Sequence, residues 1–259
     1  MPVINGEFIP RTALTPAELH VDWVRHNNEI VNRRRLVEQS ALPRARALAD
    51  AAILLGVYRN QAAALTDTLA LALDRTARFG YRQAQHEIAQ LRLAHPVVAA
   101  ANPPAPSRLA DIVRGGLAGV ALYVRQEALL LTEAIIEKVL AALRSEKDAT
   151  LALLTARQNA EKRLHLGVLD LVGTTLNLGR TAGATVLDMP PVFALRSEQL
   201  DTNTCVPCET LHGSIVQFGS AEYFSKMPPL GCLGGGRCRG LYVFADGPRQ
   251  MRAPELVAA

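Results

Sequence analysis

Four cysteines carry the chemistry of this sequence: Cys205 and Cys208 in Asp201-Thr-Asn-Thr-Cys-Val-Pro-Cys208, then Cys232 and Cys238 in Pro228-Pro-Leu-Gly-Cys-Leu-Gly-Gly-Gly-Arg-Cys-Arg239. No other cysteine occurs, and all four fall in the last quarter of the 259 residues. A Cys-x-x-Cys turn lets two thiolates converge on one tetrahedral cation while a second pair approaches from another loop. Val206-Pro207 tightens the first pair, and Gly231, Gly234, Gly235 and Gly236 free the second loop to wrap an ion. One structural Zn2+ held by Cys205, Cys208, Cys232 and Cys238 is therefore expected. Two other readings of the same residues stay open. The thiols could pack as small apolar side chains, or Cys205-Val-Pro-Cys208 could be a redox pair, a chemistry that wants the motif to open a helix within a βαβ pattern. The flanking segments read as strand and loop. His212 could join the metal or donate a proton, or could simply be packed or surface-exposed.

Around these residues the charges balance. Lys226, Arg237, Arg239, Arg249 and Arg252 are offset by Asp201, Glu209, Glu222, Asp246 and Glu255, and four bound thiolates would make the region more acidic still. A zinc module that grips DNA presents a basic face, which argues against DNA reading at this end. The excess behind the net charge of +4 lies upstream, with a cluster at Arg33-Arg34-Arg35 extended by Arg44 and Arg46. No Tyr or Phe interleaves with that cluster, so a stacking platform for single strands has no support. It reads as the solvated side of a helix or as a weak DNA contact. A phosphate loop, His-Glu-x-x-His and Gly-x-Ser-x-Gly are all missing, so no enzyme and no small-molecule substrate are expected.

The elements that must position the cysteines follow from periodicity and punctuation. Residues 1–190 read as a helical body and 191–259 as a small metal-bound β module, an α+β chain that is mainly α. Thr15-Pro16-Ala17-Glu18 is a capping box opening a first helix that runs to about Gln39. After Pro43 a second helical stretch carries Leu69, Leu71 and Leu73, with a break expected at Phe79-Gly80, and a third runs from Tyr81 to about Leu93. The Pro-rich segment from His95 to Ser107 connects them to a longer helical region capped by Ser107. There Leu129, Leu130, Ala134, Ile135, Ile136, Val139, Leu140 and Leu143 form one apolar face for helix packing. An interruption near Ser145 to Asp148 precedes helix to about Leu187. After Met189-Pro190-Pro191 the runs Val192–Leu195, Ser214–Phe218 and Leu241–Phe244 are β-prone. A three-strand sheet of this size is too small to hold by itself.

The opening Met1-Pro-Val-Ile-Asn-Gly-Glu lacks a basic start and an apolar core, and no uncharged apolar run nears the roughly 18 residues of a membrane span. Folding in a reducing cytoplasm, without membrane association, is expected, which favours metal over disulfide.

The stretch from Asn177 to Cys238 resembles the phage Mu F-like head morphogenesis family. The residues that carry the likeness are Asn177-Leu-Gly-Arg180, then Ser197-Glu-Gln-Leu-Asp-Thr-Asn-Thr-Cys-Val-Pro-Cys-Glu-Thr-Leu-His-Gly213, then Pro228-Pro229 and Arg237-Cys-Arg239. The family shows Asp-x-x-Thr-Cys-x-x-Cys-x-x-Leu-Asp-Gly and a Pro-x-His-Pro-x-Cys-Arg-Cys ending. Here His212 stands in place of the Asp, Cys232 stands near the family's His, and Gly240 replaces the last Cys. The resemblance implies a minor head protein of a tailed phage, assembled in the host cytoplasm into the virion. It implies portal or major capsid protein as partner and a role in head assembly, DNA packaging or delivery. Toxin or enzymatic extensions known in that family are not expected in the short stretch after Phe244. The alternative from another class is a zinc-dependent nucleic-acid-binding module.

Overall fold

The computed structural model describes residues 58–94, 105–145, 149–198, 200, 204–229, 232, 238 and 240–246. The capping box at Thr15, the helix to Gln39 and the Arg33 to Arg46 cluster lie outside them. The chain is α+β and mainly α: α1 (Tyr58–Ala94), α2 (Arg108–Arg114), α3 (Gly116–Ser145), α4 (Ala149–Thr185), β1 (Phe193–Glu198), α5 (Val206–Leu211), β2 (Ile215–Gln217), α6 (Ala221–Ser225) and β3 (Gly240–Ala245). None of the described helices is long and apolar enough to cross a membrane.

α1 is one unbroken helix of 37 residues, so the expected break at Phe79-Gly80 does not occur. An interior glycine costs a helix about 1 kcal/mol relative to alanine, which weakens it without ending it. Its purpose here is proximity. A Cβ on Gly80 would lie 2.5 Å from the Leu176 carbonyl oxygen of α4, and Cβ atoms on Gly179 and Gly183 would lie 2.2 and 2.4 Å from the Ala77 and Tyr81 carbonyls. Small residues facing each other thus bring the α1 and α4 backbones together along two turns.

Ser107 caps α2 as expected, its Oγ accepting the Ala110 N–H at 3.0 Å. The helical region beyond it is not continuous, however. Gly116 takes a φ of +59°, a left-handed conformation that glycine adopts without Cβ strain, and separates α2 from α3. α3 ends at Ser145 and α4 begins at Ala149, where an interruption was expected.

The buried stripe of α3 is Val120, Val124, Ala128, Leu131, Ile135, Val139 and Ala142. Ile135 and Val139 belong to the predicted face, whereas Leu129 and Leu130 are each 47% exposed. Both sit in an apolar run that allows more than one stripe, and the packing against α1 and α4 selects the one rotated away from them. Leu65, Leu69, Leu73 and Ile88 of α1 and Ala156, Ala160, Leu164 and Val168 of α4 complete this layer.

The sheet has the order β2-β1-β3, with β1 central and antiparallel to both neighbours. Arg196 lies opposite Tyr242 and Glu198 opposite Gly240. β1 runs three residues beyond the predicted Leu195, through charged side chains that are buried. The change of composition near residue 190 coincides with the passage from helix to sheet, yet the core continues across it. Phe218, Tyr223, Tyr242 and Phe244 belong to the same buried cluster as the helical leucines. Tyr223 and Tyr242 stack at 4.4 Å, with Phe218 edge-on to Tyr223 at 5.1 Å.

Buried polar groups fasten sheet to helices. The Asn177 amide nitrogen donates to the carbonyls of Pro228 and Gly240, and its oxygen accepts the Tyr242 N–H. Arg180, fully buried, donates to Gln83 at 2.6 Å, to Glu87 at 2.5 Å and to the Tyr242 carbonyl at 2.8 Å. Its guanidinium also lies 5.3 Å from the centre of the Phe244 ring. At the end of α1, Arg92 donates to both Asp246 carboxylate oxygens and to the Met189 carbonyl.

Candidate metal centre

Three segments meet at the cysteines. The connection from β1 brings Cys205 to the N-cap position of α5, with Pro207 in the first turn, where its missing N–H costs nothing. The Cys-x-x-Cys run therefore does open a helix, of six residues, instead of a loop. It belongs to an antiparallel sheet and not to a βαβ unit. α5 ends at Leu211 with His212 as its C-cap, and Gly213, at φ +77°, turns the chain so that its N–H reaches the Arg196 carbonyl at 2.8 Å. From the other side Cys232 N–H bonds the Pro229 carbonyl at 2.9 Å, and Cys238 precedes β3 by two residues.

The four sulfurs lie within 4.8 Å of one another, and Cys205 Sγ stands 3.9 Å from Cys232 Sγ. A tetrahedral ion with metal–sulfur bonds of about 2.3 Å requires sulfurs about 3.8 Å apart. The donor set fits such an ion, and no disulfide joins the four cysteines. Cys208 and Cys238 are buried. Burial pushes the Cys208 thiol well above the ordinary thiol range, reinforced by the Glu198 carboxylate. It pushes Cys238 up to about 12, against the lowering effect of the Cys205 N–H, which donates to its sulfur at 3.1 Å. Cys208 and Cys238 therefore hold their protons until a cation replaces them, so metal uptake must release protons.

His212 is not among the four grouped ligands. Its Nδ1 accepts the Glu198 backbone N–H at 3.0 Å, and burial lowers its pKa, so it serves as a neutral brace between α5 and β1. Two residues beside the cysteines escaped the sequence reading. Arg196 is fully buried, with Nε 2.6 Å from Glu198 Oε1, Nη1 2.6 Å from the Lys226 carbonyl and Nη2 3.5 Å from Cys208 Sγ. Burial raises Glu198 to about 7, with Arg196 pulling the other way. The available signal was the Arg-x-Glu spacing in a strand, which places both side chains on one face. Asn177 and Arg180, quoted for the family likeness, form the fastening under the same module. Arg237 and Arg239 lie outside the described residues.

Fold and site together define a mainly helical α+β protein whose small sheet carries a four-cysteine cluster able to bind a metal ion. No family model, curated protein or solved structure matches the chain.

Proposed function

We propose that this chain is a minor head protein of a tailed phage, a structural component associated with the portal or major capsid protein and acting in head assembly or in DNA packaging and delivery. The observation that carries the reading is the resemblance in the order and spacing of Asn177-Leu-Gly-Arg180, Asp201-x-x-Thr-Cys-x-x-Cys208 and Arg237-Cys-Arg239. The convergence of all four sulfurs supports it, since the loop that lacks the family's His still supplies Cys232. The bound ion is assigned as Zn2+. A cation held by four thiolates keeps no open position for a substrate, so its role is structural rather than catalytic. Any DNA affinity is assigned to Arg33, Arg34 and Arg35, and their replacement by Gln should lower both affinity and its salt dependence.

The test is mass spectrometry of purified particles of the phage that encodes the protein. It should be present in far fewer copies than the major capsid protein and should co-purify with the portal. Absence at a detection limit of one copy per particle overturns the assignment.

A further inference from the structure

We propose that Arg196 is a positioning residue of the metal centre: its guanidinium donates a hydrogen bond to the Cys208 sulfur, fixes that sulfur in place as a ligand and sets how tightly the site retains its cation. This rests on the metal reading above. A divalent ion with four thiolates carries two net negative charges, and such a dianion inside a protein needs a positive partner and hydrogen bonds to its sulfurs. Cys208 is 1% exposed, so water cannot supply them.

Arg196 meets that need and is aimed at it. Its three nitrogens reach three different segments: Nε the Glu198 carboxylate on β1, Nη1 the Lys226 carbonyl after α6, and Nη2 the Cys208 sulfur on α5. A guanidinium anchored at two corners has no freedom to turn the third away. Glu198 does the aiming, and Gly240 leaves room for it, because a Cβ there would lie 2.3 Å from Glu198 Oε1. The strand that carries Arg196 is itself fixed. Its register partner Tyr242 has its N–H bonded to Asn177 and its carbonyl to Arg180.

The experiment uses the full chain, with Zn2+ affinity measured by chelator competition and bound Co2+ as a spectroscopic probe. Arg196→Gln should bind Zn2+ about 10- to 100-fold more weakly, the range typical for losing a partner of a metal ligand. Arg196→Lys, which keeps the charge and loses the fork, should fall between. The thiolate-to-Co2+ charge-transfer band should move to lower energy in Arg196→Gln, because a sulfur freed of its N–H bond is a stronger donor. A merely structural loss would leave the band where it was. Glu198→Gln, with less cost to folding, leaves the Arg196 charge unshared and should move the band the opposite way. Wild-type affinity and an unmoved band in Arg196→Gln, or an unmoved band in Glu198→Gln where the first variant does not fold, overturn the proposal. A wild-type protein that binds neither ion overturns the metal reading together with it.

Discussion

Replacing Arg180 by Met tests whether helices and sheet form one cooperative structure. Arg180 is fully buried and bonded to Gln83 and Glu87 of α1 and to the Tyr242 carbonyl of β3, so three elements meet on one guanidinium. The substitution keeps most of the volume and removes the charge. Glu87, 4% exposed, would then lose its cation and keep a buried carboxylate. Breaking one side of a buried ion pair costs about 3–5 kcal/mol. At roughly 2–4 °C per kcal/mol for a chain of this size, the melting midpoint should fall by about 6–20 °C. Two probes should report it together: far-ultraviolet circular dichroism for the helices, and the near-ultraviolet tyrosine signal, to which the stacked Tyr223–Tyr242 pair contributes. Adding Glu87→Gln should restore part of the loss, since the stranded charge is the larger share of the penalty. A midpoint within 1–2 °C of wild type, no recovery in the double variant, or a tyrosine transition separate from the helical one would each refute the argument.

Purified protein should contain one zinc per chain, and Cys208→Ser should abolish stoichiometric binding and lower the common midpoint of both probes; elemental analysis and melting curves check this. Glu198 gives a pH dependence after chelation of the metal. Its folded pKa, raised to about 7, means that the folded state favours the protonated acid, so stability is greatest below the unfolded value near 4.3 and is lost as pH rises to about 7. Glu198→Gln should flatten that slope between about pH 4 and 7, as urea titrations at a series of pH values would show. Gly179→Ala, which in an ordinary helix would stabilise by about 1 kcal/mol, should instead destabilise by about 1–3 kcal/mol, because the new Cβ would sit 2.2 Å from the Ala77 carbonyl oxygen. A stabilised Gly179→Ala would mean that α1 and α4 are not in backbone contact.

Local chemistry was enough to read much of this molecule from its residues. The Ser107 cap, the long helices, the three short strands and the grouping of four cysteines all depend on nearest-neighbour preferences: a hydroxyl beside free N–H groups, a repeat near 3.6, β-branched and aromatic runs, and thiols placed by tight or glycine-rich turns. Three features were decided only when distant segments packed. Gly80 looked like a helix end because its conformational cost is local, whereas its benefit, contact with the Leu176 backbone of α4, lies nearly a hundred residues away. The apolar run of α3 contained more than one possible stripe, and the partners α1 and α4 chose the one that leaves Leu129 and Leu130 partly in solvent. Arg180 entered the sequence reading only through the family likeness and Arg196 not at all, because a cation alone is too costly to bury and nothing beside either residue in the chain marks its partners. Their burial became possible only where Glu87, Glu198, backbone carbonyls and the Cys208 sulfur surrounded them from separate elements. A residue's sequence neighbours set its conformational preferences, but the groups that neutralise a buried charge come from across the fold, and only the tertiary structure brings them together.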